Sequence, residues 1–167
     1  MPLSGKSTIG ELLSEKLDYT FIDTDRLIEE IYFRQGGSYL SVREIYQMAD
    51  EEAFRELENE AVLMASKCQN TIISLGGGAL IFEENRKLLK KTGTMIYLKA
   101  SVDTLKQRLK ESLPAVFQKE DPESSLRDLL EKREKFYQES SDIEFQVDGL
   151  NKNEIVSALS ILIERNS

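Results

Sequence analysis

Pro2-Leu3-Ser4-Gly5-Lys6-Ser7-Thr8 is the stretch whose reading decides the fold. It stands directly before Ile9, Leu12, Leu13 and Leu17, which share one face of a helix running to about Leu17. A glycine turn opening such a helix presents successive backbone N–H groups at the positive end of the helix dipole, where they wrap nucleotide phosphates. Lys6 is then placed to reach the β and γ phosphates. Ser7 offers a hydroxyl to Mg²⁺, a cation that keeps most of its waters and takes few protein ligands. The complete motif, G-x-x-x-x-G-K-[ST], puts its first glycine one residue before Met1, together with the buried strand that feeds the loop. The expectation is a start further upstream, and a sheet whose first strand is missing from this chain.

The remaining composition narrows the chemistry. A chain of 167 residues suits one compact α/β domain and is too short for two catalytic domains with a linker. Lys and Arg number 22 against 30 Asp and Glu, a net charge of −8, so the general surface repels polyphosphate backbones and nucleic acid is not an expected partner. An anionic nucleotide can still bind where positive charge and N–H groups are focused in one cleft. The chain has no histidine, so a base must be a carboxylate or lysine, and histidine-containing zinc sites are excluded. Cys68 stands alone and forms no internal disulfide. Apolar runs are short and no signal pattern opens the chain, so the expected setting is the cytoplasm, with no membrane partner.

Four β-rich runs stand out: Tyr19 to Ile22, Thr71 to Leu75, Thr94 to Leu98, and the alternating Ile143, Phe145 and Val147. Helical patterns lie between them, and such alternation implies a parallel sheet covered on both faces. Asp25 reads as the cap of a helix carrying Leu27, Ile28 and Ile31, and Ser41-Val42-Arg43-Glu44 as a capping box. Longer helices are expected from about Asp50 to Ser66, Glu84 to Lys91, Val102 to Lys110, Ser124 to Gln138 and Asn153 to Arg165. Gly36-Gly37-Ser38 and the polar stretch Glu111 to Ser125 read as loops, the second long enough to move.

Chemistry collects at the strand ends. Phe21-Ile22-Asp23-Thr24-Asp25 sets two carboxylates two residues apart, pointing to the same side at the edge where open α/β sheets bind ligands. Asp23 could hold a Mg²⁺ water while Asp25 orients or deprotonates a hydroxyl; a plain helix cap at Asp25 is compatible with that role. Arg55 and Glu58, three apart on a helix, read equally as a surface ion pair. Gly76-Gly77-Gly78 directly after a strand allows close approach of backbone to ligand. Arg133, beyond the polar loop, could fork a substrate carboxylate or be a solvated helix charge.

Taken together, the Gly5-Lys6-Ser7-Thr8 loop, Ile22-Asp23-Thr24-Asp25, Glu52-Ala53-Phe54-Arg55-Glu56-Leu57-Glu58, the triple glycine, and Arg133 with Tyr137 resemble shikimate kinases over nearly the whole chain. That resemblance implies a three-layer α/β/α P-loop kinase fold, a single domain over residues 1–167 with a mobile lid at about 111–125. It implies Mg²⁺- and ATP-dependent phosphorylation of the shikimate 3-hydroxyl, by a monomer, on the route to chorismate and the aromatic amino acids. Leu3, Ser4, Gly5, Lys6, Ser7 and Thr8 then match the ATP loop, with Ser7 matching the magnesium ligand and Asp23 acting through water. Asp25, Arg55, Gly76, Gly77, Gly78 and Arg133 match substrate positions, Lys6 and Asp25 being the catalytic pair. Two departures stand out: Leu3 where a second loop glycine is common, and Leu113 before Pro114 where the lid usually carries an arginine, Lys110 and Lys119 being the candidate substitutes. The rival readings are a gluconate or nucleoside monophosphate kinase of the same fold, and a noncatalytic nucleotide-binding relative.

Overall fold

Gly5 takes φ +90°, a left-handed conformation open to glycine at little cost, and as N-cap starts α1 (Lys6–Leu17). The computed structural model describes residues 3–111 and 121–166. From α1 the chain runs through β1 (Thr20–Asp23), α2 (Thr24–Arg34), α3 (Val42–Met48), α4 (Glu51–Ala65) and β2 (Thr71–Ser74). It continues as α5 (Glu83–Thr92), β3 (Ile96–Lys99), α6 (Val102–Glu111), α7 (Pro122–Ser140), β4 (Ile143–Gln146) and α8 (Lys152–Asn166). Each expected strand and helix is present, with ends displaced by a residue or two.

The caps explain most of those displacements. Ser41 and Glu44 form the expected capping box of α3, each side chain meeting the other's backbone N–H. Asp50 caps α4 by accepting from Ala53 N at 2.8 Å. Asp121 does the same for α7 through Ser124 N at 2.9 Å, with Pro122 in the first turn, so residues 122–125 are helix rather than the expected loop. The rest of the expected lid, with Leu113, Pro114 and Lys119, lies outside the described residues.

The strands pair in parallel, but not as one continuous sheet. Thr20–Asp23 runs in register with Thr71–Ser74, and Ile96–Lys99 with Ile143–Gln146, as two separate pairs. Successive strand side chains point to opposite faces. In β3, Tyr97 joins a cluster with Leu89, Leu105, Leu126 and Leu129, while Leu98 joins one with Ile9, Leu13, Ile155 and Leu159. Helices α5, α6 and α7 therefore cover one face, and α1 and α8 the other. A third cluster, around Ile28, Ile45, Phe54 and Ala61, fastens α2, α3 and α4 together beside β1. Among the described residues, no helix is long and apolar enough to cross a membrane.

Candidate active site

The carboxyl ends of β1 and β2 meet the amino end of α1. Parallel register sets Asp23 opposite Ser74. Ser7 Oγ donates to Asp23 Oδ2 at 2.6 Å and lies 3.3 Å from Ser74 Oγ. Two hydroxyls and a carboxylate are hard oxygen donors, too few for a full cage, which fits a Mg²⁺ ion that keeps waters and shares phosphate oxygens. Ser74 escaped the sequence reading; its one signal was its place at a strand end just before the glycines.

The capping role moves from Asp25 to Asp23. β1 ends at Asp23, whose backbone is still extended and whose Oδ1 accepts from Asp25 N at 2.9 Å. Asp25 sits in the first helical turn, so helix geometry and not strand alternation brings the two carboxylates together. With the cap supplied elsewhere, the Asp25 carboxyl is left for the cleft. Burial, and then the Asp23 charge, push its pKa up to about 6 against the pull of Lys6. The Lys6 ammonium is pushed down by its own burial, which outweighs the Asp25 and Asp23 charges holding it on.

Thr24, fully buried between the two aspartates, accepts from Gly76 N at 2.8 Å through its hydroxyl and so ties the glycine run to α2. The run crosses the site without clearance to spare. A Cβ on Gly76 would stand 2.5 Å from Asp25 Oδ1, and one on Gly78 2.6 Å from both Arg55 Nη1 and Glu58 Oε1. A side chain at either position would displace the charged groups beneath.

Arg55 and Glu58 are not a surface pair. Their side chains are 12 % and 4 % exposed and meet at 2.7 Å. Burial raises the Glu58 carboxyl, and Arg55 opposes that shift. Phe54 and Phe82 stack near the guanidinium, at 5.7 and 5.9 Å. Glu58 thus holds Arg55 in place, and removing it would strand a buried cation. From the other side, Arg133 Nη1 and the buried Tyr137 hydroxyl donate to Gly77 O at 3.1 and 2.7 Å. The Gly77–Gly78 peptide is trans, so the Gly78 N–H points away from α7.

The residues chosen from sequence therefore gather in one cleft: Lys6, Ser7 and Asp23 at one end, Asp25 and the glycines in the middle, Arg55 and Arg133 at the other. Arg108 was missed. Its Nη1 donates to Leu3 O at 2.8 Å across a separation of 105 residues that no local pattern announces. Leu3 itself has φ +61°, a conformation costing a leucine roughly 1–2 kcal/mol, which explains why glycine suits this position. The Arg108 bond and packing of Leu3 against the Tyr97 cluster hold it there.

The sequence model of the shikimate kinase family matches residues 2–164. A shikimate kinase from Thermodesulfovibrio yellowstonii is 32 % identical over 98 % of this chain and 91 % of its own. Another, from Caldanaerobacter subterraneus, is 39 % identical over 80 % of this chain and 75 % of its own. Among solved structures, the shikimate kinase from Acinetobacter baumannii in complex with shikimate superposes with a TM-score of 0.84 at 29 % identity, covering 99 % of this chain and 89 % of that one.

Proposed function

The chain belongs to the shikimate kinase family, and from that premise we propose that it transfers the γ-phosphoryl group of ATP to the 3-hydroxyl of shikimate. The observation that carries this reading is the convergence of Lys6, Asp25 and the Arg55–Glu58 pair around one glycine run. A phosphate cradle at one end of the cleft and a paired guanidinium at the other suit a substrate bearing both a hydroxyl and a carboxylate.

In this reading the loop N–H groups of residues 3–8 and Lys6 hold the β and γ phosphates. Arg55, fixed by Glu58, and Arg133 bind the shikimate carboxylate, and residues 76–78, lacking side chains, let the ring lie against backbone. Asp25 aligns the 3-hydroxyl and accepts its proton. The hydroxyl oxygen then bonds to the γ phosphorus, and the bond from that phosphorus to the β–γ bridging oxygen breaks, leaving ADP. A carboxyl with a pKa near 6 is a better base than an ordinary aspartate and is still ionised at neutral pH. Mg²⁺ would be held by Ser7 and, through water, by Asp23, and it supplies neutralising charge at the phosphates. In this reading the enzyme works in the cytoplasm as a monomer.

A coupled assay of ADP release with Mg·ATP tests the reading, offering shikimate, gluconate and nucleoside monophosphates in turn. Shikimate-dependent turnover is expected. Turnover with gluconate or a nucleotide in its place would move the chain to another acceptor, and ATP binding without turnover on any acceptor would make it a noncatalytic relative.

A further inference from the structure

The glycine run is held by its carbonyls. Arg133 and Tyr137 take Gly77 O, while Ala79 N donates to Gly76 O at 3.2 Å and Ile81 N to Gly78 O at 2.9 Å. Two of these three anchors therefore belong to the turn that follows, residues 79–82. That turn is fastened in its own right by two neighbouring residues of α5. Asn85 Nδ2 donates to Ala79 O at 3.1 Å, and Arg86 Nη1 donates to Leu80 O and Ile81 O, both at 2.7 Å. Arg86 N meets Phe82 O at 3.2 Å, so four successive carbonyls end on residues 85 and 86.

The same two side chains reach the helices on either side. Asn85 Nδ2 also donates to Asn59 Oδ1 at 2.8 Å, and Asn59 directly follows Glu58 on α4, one turn beyond Arg55. The Arg86 guanidinium lies 4.9 Å from the ring centre of Phe136, which adjoins Tyr137 on α7, three residues beyond Arg133. We propose that Asn85 and Arg86 are positioning residues for the acceptor end of the cleft, fixing α4, the glycine turn and α7 so that Arg55 and Arg133 grip one carboxylate. This rests on the reading that those two arginines bind the acceptor.

The side-chain chemistry suits the task. Asn85 is buried and brings two donors on one planar amide, where an aspartate would set a charge against two oxygens. Arg86 brings donors in a fixed plane whose face can stack on an aromatic ring, whereas lysine is a point charge on a flexible stem. All these contacts lie at the acceptor end of the cleft. Loosening them should weaken acceptor binding and leave ATP binding alone.

Steady-state kinetics and hydrogen exchange on Arg86→Met and the milder Arg86→Lys test this, below the melting temperature of each variant. Arg86→Met should raise the KM for shikimate about tenfold, with kcat and the KM for ATP within about twofold, and Arg86→Lys should recover part of the loss. Exchange at Ala79 and Ile81 should quicken at least about tenfold in Arg86→Met, while α8 stays within about twofold. A lower melting temperature with both KM values unchanged would show a purely structural role and overturn the proposal. An equal rise in both KM values, or exchange that quickens evenly over the whole chain, would overturn it too. The kinetics use whichever acceptor the unsubstituted chain turns over, so failure of shikimate as that acceptor is seen before any variant is compared. Exchange needs no acceptor and decides alone if none is turned over: unchanged exchange at residues 79 and 81 overturns the proposal in every case.

Discussion

Burial beside Asp23 leaves Asp25 with a pKa of about 6 in the fold against 3.8 for an ordinary aspartate, so the folded chain binds this proton more tightly than the unfolded one. Stability therefore falls as pH rises from 3.8 to about 6 and stays lowered at neutral pH, by at most about 3 kcal/mol. Asp25→Asn removes the charge. It should raise the melting temperature at neutral pH, with the gain vanishing in acid below the unfolded pKa, while turnover drops by roughly 10²–10⁴. Unchanged stability would mean the carboxylate is better satisfied than its surroundings indicate. In the unsubstituted chain, turnover should fall on the acid side with a midpoint near the folded pKa, about 6. Tyr137→Phe is a finer probe, because Arg133 still reaches Gly77 O. Loss of one hydrogen bond, about 1 kcal/mol, should raise the KM for shikimate roughly fivefold, with kcat and the KM for ATP nearly unchanged. A fall in kcat alone would show that Tyr137 does not act by positioning the glycine run.

Helix ends carry the next set of decisions. Ser41→Ala breaks the capping box of α3 and should cost about 1 kcal/mol in urea denaturation, with activity intact because α3 stays outside the cleft. At the start of α6, Asp148 accepts from Ser101 N, Ser101 Oγ and Thr104 Oγ1, and the hydroxyls of Thr104 and Ser101 hold its carboxyl down at about 2. This folded pKa is depressed, so its stabilisation is complete above 3.8 and is lost as pH falls from there to about 2. Asp148→Asn should flatten that part of the acid denaturation profile; an unchanged profile would mean that the clamp is not coupled to folding. The α3 capping box was legible in sequence because it is set by residues three positions apart, whereas the Asp121 cap of α7, built on the same spacing, was not read and the helix was expected to start at Ser124. The α2 cap was misplaced by two residues, because whether β1 ends before or after Asp23 depends on pairing with β2 across the intervening helices.

Across the whole molecule, a protein of net charge −8 gathers Lys6, Arg55 and Arg133 into one cleft, and sheet and glycine run do the gathering. The same sheet is divided. Among the described residues β2 pairs only with β1 and β3 only with β4, so amides on their other edges should exchange with solvent faster than those bonded to β1 and β4. Mass-resolved hydrogen exchange on the chain alone reads this directly, and uniform protection along both strands would contradict an unpaired inner edge.

Sequence by itself determined the alternation of strands and helices, the phosphate loop, and most residues of the cleft, because periodicity, capping and motif spacing are written over a few adjacent positions. Tertiary structure alone decided that Arg55 and Glu58 are buried together, that Ser74 and Thr24 belong to the site, and that Arg108 closes on Leu3. Those outcomes depend on burial and on partners up to 105 residues away, and neither is encoded in any local stretch of the chain.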